Sequence, residues 1–229
     1  MKMGGSALAL LVGILAVVAP CAEASPQPPS QPSRKDYAAA ARWLLCASDH
    51  GIMATDGGVV NADLRKDSST SASIPFGNVV AFADGNVEHN RIVNCTGEPY
   101  FYLTKLDATQ QDLEGNSWAT LAMSMADLRY SSHAPCSLVN AESPLCWRLN
   151  LVGKVSHVGE NEKERARHSL FSRHPDMKFW PSDHEFQIFK MQVSKVFLID
   201  FFGGAPNIPI EDYMNVVLDD KSATTLAPQ

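Results

Sequence analysis

The chain has 229 residues, a formal net charge of −6 and 45% hydrophobic residues, which is enough for one domain with a real core. A mildly acidic balance excludes a protein built for nonspecific binding to nucleic acid or to anionic lipid. Residues 7–19 are all small or apolar, and Ala22-Glu23-Ala24 follows them as a cleavage pattern. Because so short a run cannot span a bilayer, the sequence predicts a secretory signal peptide over residues 1–24.

Proline marks the next segment. Four of residues 25–32 are prolines, which can form neither a helix nor a sheet ladder, so residues 25–35 are predicted to be an exposed linker. The end of the chain, residues 219–229, is predicted to be a flexible tail. A single domain is therefore expected over residues 36–218.

Hydrophobic periodicity divides this domain into strands and a few helices. The predicted helices are 36–48, 107–115, 160–173 and 210–215. The predicted strands are 51–55, 74–84, 99–106, 117–125, 146–158 and 185–202, the last being either one strand or two joined by a bend. Residues 56–73, 85–98 and 127–145 are predicted to be loops. Strands without β-α-β alternation indicate an α+β, mostly antiparallel six-stranded barrel with short helices at its rim, and they argue against a Rossmann fold.

Four cysteines remain once Cys21 leaves with the signal peptide, and an even number in an exported chain indicates disulfides. Cys136 and Cys146 flank a short loop, so a local bridge between them is favoured. Cys46 and Cys95 then pair by elimination, although each is also compatible with a buried free thiol. The absence of any C-x-x-C spacing argues against zinc.

One glycosylation sequon occurs, Asn94-Cys95-Thr96. In an exported chain this pattern predicts an N-linked glycan on Asn94. The cysteine in its middle position leaves open an unused sequon, if Cys95 forms its bridge early.

The segment RHSLFSRHPDMKFWPSDHEF, residues 167–186, holds three of the seven histidines and raises the question of a metal or catalytic site. His168, His174 and His184 lack the i, i+4 spacing of a helical ligand pair, so metal or haem ligation is disfavoured. Ser169 lies close to His168 and Asp176 in sequence, but triads are defined by geometry, and no G-x-S-x-G motif occurs.

A phosphate-bearing cofactor such as flavin needs clustered cations or a glycine loop at a helix N-terminus. Between Ile74 and Ala126 the only cationic residues are Arg91 and Lys105. Arg65 and Lys66, in the loop before this region, are the remaining candidates for a clamp. The sequence therefore predicts no cofactor, no catalytic residue and no metal site.

Five blocks of sequence, taken together, resemble the CREG family of secreted glycoproteins from about Arg34 to Val217. The blocks are PFGNVVAFADG (75–85), EPYFYLTKLD (98–107), ESPLCWRLNLVGKV (142–155), HSLFSRHPDMKFWP (168–181) and FLIDFFGGAPNIPIEDYMNV (197–216). The residues that carry the resemblance in the last two blocks are His168, Phe171, His174, Pro175, Trp180, Pro181, Phe202, Gly203 and Gly204. Cys46, Cys95 and the sequon are departures from the family pattern.

The resemblance implies an FMN-binding-like split β-barrel, related to flavin-binding oxidases such as pyridoxamine-phosphate oxidase, that forms homodimers through the barrel. It implies a non-enzymatic protein whose ancestral flavin pocket is altered or obstructed. It also implies a secreted or endolysosomal location and, in animals, a role in growth and differentiation through glycan-dependent receptor binding. In such a protein the histidine-rich segment is architecture that packs on the barrel, at a dimer or partner surface.

Two other functions remain as alternatives at this point. One is a flavin- or haem-dependent oxidoreductase on the same barrel, which a basic cluster at a cleft would favour. The other is a nuclear repressor, after the family's name, which the signal peptide and the acidic charge argue against.

Overall fold

The computed structural model describes residues 25–63, 74–128, 136 and 139–218. The signal peptide expected over residues 1–24 and the tail expected over residues 219–229 lie outside the described residues. The strands are β1 (His50–Asp56), β2 (Pro75–Ala83), β3 (Asn86–Glu88), β4 (Arg91–Val93), β5 (Tyr100–Leu103), β6 (Trp118–Ser124), β7 (Arg148–His157) and β8 (Gln187–Ile199). The α-helices are α1 (Tyr37–Ala47), α2 (Ala108–Gly115), α3 (Glu160–Arg173) and α4 (Ile210–Met214).

Six of the strands close into an antiparallel barrel in the order β1-β2-β5-β8-β7-β6, and this confirms the predicted fold class. The strands lie close to the predicted segments because alternation of apolar and polar side chains, or a run of β-branched and aromatic residues, marks them. β8 is one continuous strand, and its pairing with β7 shifts register between Val152 and Gly153, where β8 has one extra residue, Ser194. No helix in the described part of the chain is long and apolar enough to cross a membrane.

Two segments differ from the prediction. The connection over residues 85–98 contains a hairpin, β3–β4, whose turn residues His89 and Asn90 have φ of 48° and 60°. The strand predicted over 99–106 ends at Leu103, because the Asp107 backbone N–H donates to the Thr104 carbonyl in a turn. The Asp107 side chain then caps α2 by accepting from the Thr109 N–H at 2.7 Å.

The barrel interior is the main core, and α1 and α4 pack against it. Trp43 of α1 meets Trp147 edge to face, with ring centroids 5.7 Å apart. A second cluster, here called the outer core, lies between α3 and the outside of the barrel; its buried members are Ala83, Tyr100, Ala166, Leu170, Met177 and Ile188. β5 serves both cores, because Phe101 and Leu103 point inward and Tyr100 and Tyr102 point outward.

Both predicted disulfides, Cys46–Cys95 and Cys136–Cys146, are present. The first joins α1 to the end of the β3–β4 hairpin, and the second closes a loop of the chain before β7. The bridge at Cys46 excludes the alternative of a buried free thiol.

The proline-rich segment contacts the domain at two points. Gln27 pairs with Arg91 in an isolated bridge, and the carbonyl of Pro29 accepts a hydrogen bond from Trp43 Nε1 at 2.8 Å. Pro29 is buried, so this part of the predicted exposed linker lies against the domain. The proline backbone remains extended and leaves its carbonyls available to such donors.

Candidate functional site

An aromatic cleft of about 430 Å³ opens beside the outer core, between β2, β5 and the segment that follows α3. This is within the range of small-molecule sites in proteins. Its lining residues are Val79, Val80, Ala81, Tyr102, Leu103, Thr104, Asp107, Met177, Trp180, Pro181 and Phe186.

Tyr102 is the centre of the aromatic cleft. Its ring stacks on Phe186 with centroids 4.9 Å apart and an interplanar angle of 25°, and on Trp180 at 5.9 Å and 23°. Phe171 meets the same ring edge to face at 5.5 Å. Rings in these geometries stabilise one another, and their faces present a flat apolar surface to any planar ligand.

The charge of the aromatic cleft is negative. Among the residues that the structure describes, Asp107 is the only charged one that lines it. The carboxylate accepts from Asn78 Nδ2 at 3.1 Å and from the Thr109 N–H, so it is fixed in place by β2 and α2. A phosphate at this position would meet a carboxylate rather than a guanidinium or an ammonium group, and like charges repel.

Of the cations considered for a phosphate clamp, neither Lys105 nor Arg91 lines the aromatic cleft. Lys105 lies on the surface and pairs with Glu114 at 3.5 Å. Arg91 lies on β4, next to Gln27. Arg65 and Lys66 lie outside the described residues.

The three histidines of the segment over residues 167–186 do not converge on one site. His174 Nε2 lies 2.8 Å from the Phe82 carbonyl, and burial lowers the pKa of this histidine, although the Phe82 hydrogen bond opposes the shift. His168 is exposed on α3, and the His184 carbonyl accepts from Thr104 Oγ1. In the described part of the chain no group of three or more histidine, cysteine or acidic residues converges as a metal site.

The remaining residues that carry the family resemblance pack against the outer core, begin 3-10 helices or form a loop. Phe171 and Trp180 pack against the outer core, and Pro175 opens a 3-10 helix over residues 175–179. Pro181 is the N-cap of a second 3-10 helix over residues 182–184. Phe202, Gly203 and Gly204 form an exposed loop after β8, in which both glycines have positive φ.

Arg173, between the motif's Phe171 and His174, shows what the motif does in the fold. Its guanidinium donates to the carbonyls of Cys46 at 2.9 Å and Ser48 at 2.6 Å. These carbonyls belong to the C-terminal end of α1, where helices leave acceptors unpaired. The segment therefore joins α3 to α1, while His174 joins it to β2.

Sequence reasoning missed Asp107 and Phe186 as cleft residues. The alternation in Tyr100-Phe101-Tyr102-Leu103 does indicate an outward aromatic row on β5. No sequence signal indicates which residues far along the chain will cover that row.

Among solved structures, the chain resembles a haem-binding protein from Mycobacterium smegmatis with a TM-score of 0.55 at 14% identity, covering 81% of this chain and 61% of that one. At this identity the likeness shows the fold, and the class of protein is a split β-barrel. The family described as "CREG, beta-barrel" matches residues 32–215. Mouse Protein CREG1 is 35% identical over 193 residues, 83% of this chain and 79% of its own length.

Human Protein CREG1 is 34% identical over an alignment of 235 positions, gaps included, that covers 93% of this chain and 97% of that one. The chain belongs to the CREG family.

Proposed function

We propose that this chain is a non-catalytic, secreted or endolysosomal glycoprotein that acts as a homodimer. In this role it is a ligand of a cell-surface or sorting receptor, in growth, differentiation or trafficking. The observation that supports a non-catalytic role is the charge of the aromatic cleft, because the one charged residue among its described lining residues is acidic. A flavin phosphate bound there would meet none of the cations that such groups require among these residues.

The chemistry of the chain supports passage through an oxidising compartment. Two disulfides join its described cysteines, and such bridges are rare in cytosolic proteins. The start of the sequence has the features of a signal peptide, and Asn94 stands exposed in its sequon.

A row of outward side chains across five barrel strands supports the homodimer. Val79, Ile52, Ala122, Asn150 and Phe197 are successive cross-strand partners, and this row is here called the apolar face. Val79 is 62% exposed, Ile52 43% and Phe197 41%. Apart from Asn150 the row is apolar, and an exposed patch of this kind is typical of a protein interface, which a second copy of the chain would cover.

The alternative is a flavin- or haem-dependent oxidoreductase, and one observation favours it. The stacked rings of Tyr102, Trp180 and Phe186 are a surface on which a flat heterocycle packs well. The acidic lining argues against this alternative for any cofactor that carries a phosphate.

Titration of FMN into the native protein by calorimetry distinguishes the two functions. We expect a Kd no tighter than about 1 mM, which is about −4 kcal/mol of binding, and no oxidation of reduced cofactor. Riboflavin, which lacks the phosphate, is the matched ligand. Asp107→Asn, which keeps a side-chain cap on α2, is the matched variant and should weaken the discrimination against FMN. Saturable micromolar FMN binding that falls in Lys105→Ala would show that the enzyme alternative is correct.

A further inference from the structure

Asn94 lies directly after β4 in the left-handed region, with φ of 59°, and is exposed. Its amide Nδ2 donates to Asn86 Oδ1 at 2.9 Å and lies 3.4 Å from Glu88 Oε1. These contacts hold the Asn94 amide against strand β3 of the hairpin.

A second cleft, here called the hairpin cleft, occupies the space in front of this amide and measures about 520 Å³. One wall is the hairpin with Asn86, Glu88 and Asn94, the other is α3 with Arg165 and His168, and Tyr100 lies at the bottom. The walls offer a carboxylate and an amide oxygen as acceptors, and a guanidinium and an imidazole as donors. Arg165 donates one N–H to Glu162 at 2.6 Å. Because a guanidinium has five N–H groups, the others can donate to a ligand in the cleft.

We propose that Asn94 carries an N-linked glycan and that its first sugar, N-acetylglucosamine, lies in the hairpin cleft and joins the hairpin to α3. This inference rests on the proposed secretory passage. The sugar presents hydroxyl groups and an acetamide, which match the mixed donors and acceptors of the two walls. Arg165 and His168 donate to sugar oxygens from one side, while Glu88 accepts from sugar hydroxyls on the other.

The covalent step balances with a lipid-linked oligosaccharide diphosphate as donor. The Asn94 Nδ2–C1 bond forms, the bond from C1 to the diphosphate oxygen breaks, and one amide proton is released. The nitrogen keeps one hydrogen, which is enough for the 2.9 Å bond to Asn86. The longer 3.4 Å contact with Glu88 is given up, and that carboxylate becomes an acceptor for the sugar.

Transfer of the glycan precedes completion of the fold. In the folded chain Thr96 Oγ1 donates to Asp84 at 3.1 Å, and the Thr96 N–H donates to the same carboxylate at 2.6 Å. Cys95, between the two sequon residues, is bridged to Cys46. The sequon is therefore held by the protein and is not available to a transferase, so the test requires expression in secretory cells.

The test compares three forms of the full chain by thermal unfolding: intact glycoprotein, glycoprotein trimmed by an endoglycosidase to one N-acetylglucosamine, and Asn94→Gln. We expect the first two to have the same midpoint and Asn94→Gln to unfold about 2–4 °C lower. His168→Ala should then lower the midpoint of the trimmed glycoprotein by about 2 °C more than it lowers that of Asn94→Gln. Arg167→Ala, at the neighbouring exposed position of α3 and outside the hairpin cleft, should lower both equally.

A second readout does not depend on a substitution in α3. Peptide N-glycosidase should release the glycan from native protein at least ten times more slowly than from unfolded protein, because the first sugar is covered. Equal effects of His168→Ala in both forms, or fast release from native protein, would overturn the inference. An unmodified Asn94 in secreted protein would overturn it as well, but would not affect the proposal of a non-catalytic dimer. A chain that keeps residues 1–24 and is not exported would instead refute the proposed secretion.

Discussion

At the scale of single residues, the least expected finding is a buried cation. Arg42 of α1 is 2% exposed, and its guanidinium donates to the carbonyls of Tyr213, Met214, Val216 and Cys95 at 2.8–3.3 Å. It therefore fixes the end of α4 and the middle residue of the sequon to α1. Buried charges persist only when they are hydrogen-bonded in this way.

Gly97 makes room for Arg42 and provides a prediction. Its φ is +87°, and a Cβ atom there would lie 2.7 Å from Arg42 Nε. Gly97→Ala should lower the free energy of unfolding by about 2 kcal/mol, from backbone strain and from displacement of the guanidinium. Urea denaturation measures the change. Gly115→Ala, in α2 with nothing within 4 Å, is the control and should be neutral or stabilising. Equal stability of the two variants would contradict this role of Gly97.

At the scale of elements, α3 is attached to the barrel by polar contacts as much as by packing. Glu162 accepts from Tyr100 Oη at 2.6 Å and from Arg165 at 2.6 Å, and it pairs with Lys190 of β8 at 3.2 Å. Burial raises the pKa of Glu162, but these hydrogen bonds outweigh it and lower the pKa to about 2. The exposed ion pairs along α3, such as Arg167 with Glu164, contribute little by comparison.

This network predicts how stability changes with pH. Because the folded-state pKa of Glu162 lies below its ordinary value of 4.5, its stabilisation is present above about pH 4.5 and is lost as the pH falls toward 2. Glu162→Gln should therefore be less stable than the parent by about 1–2 kcal/mol at pH 6, with a difference that shrinks below pH 4.5. Urea denaturation across this range is the measurement, and Glu164→Gln is the exposed control. A difference independent of pH would indicate that packing, not charge, carries the effect. An intact network at pH 5 is compatible with the proposed endolysosomal location.

At the scale of the whole molecule, the apolar face and the aromatic cleft are neighbours, because Val79 belongs to both. A second copy on the apolar face would stand at the mouth of the cleft. The oligomeric state would therefore affect ligand access to the cleft. For this reason the FMN titration is to be made on the native assembly.

Ile52→Glu tests the apolar face directly. The substitution places a charge within the row, and we expect it to convert a dimer into a monomer, with a dissociation constant raised at least a hundredfold. Sedimentation velocity over a range of concentrations measures this. Phe179→Glu is the matched control, because Phe179 is 85% exposed and lies outside the row, and it should leave the dimer intact. A dimer that persists in Ile52→Glu would place the contact elsewhere.

The sequence by itself determined the barrel strands, the helices, the Cys136–Cys146 bridge and the family, while it left Cys46–Cys95 open between a bridge and a buried free thiol. Two-residue alternation or β-branched and aromatic residues mark the strands, α3 carries its own order of acids and bases, and the loop between Cys136 and Cys146 is short. The hairpin β3–β4 was missed because each of its strands has three residues, too few to show a period. β5 was predicted too long because the turn at Thr104 and the cap at Asp107 are not visible in hydrophobicity.

Only the tertiary structure decided the chemistry of the two clefts and of the buried cation. Closure of the barrel places Asp107 beside Asn78, and Trp180 beside Tyr102, although the members of each pair are far apart in the chain. The same closure faces Asn94 with His168 and surrounds Arg42 with the carbonyls of α4. Local periodicity fixes which face of an element is apolar, but the charge and shape of a site depend on which elements meet. Packing between distant segments decides which elements meet, and a local sequence pattern does not predict this packing.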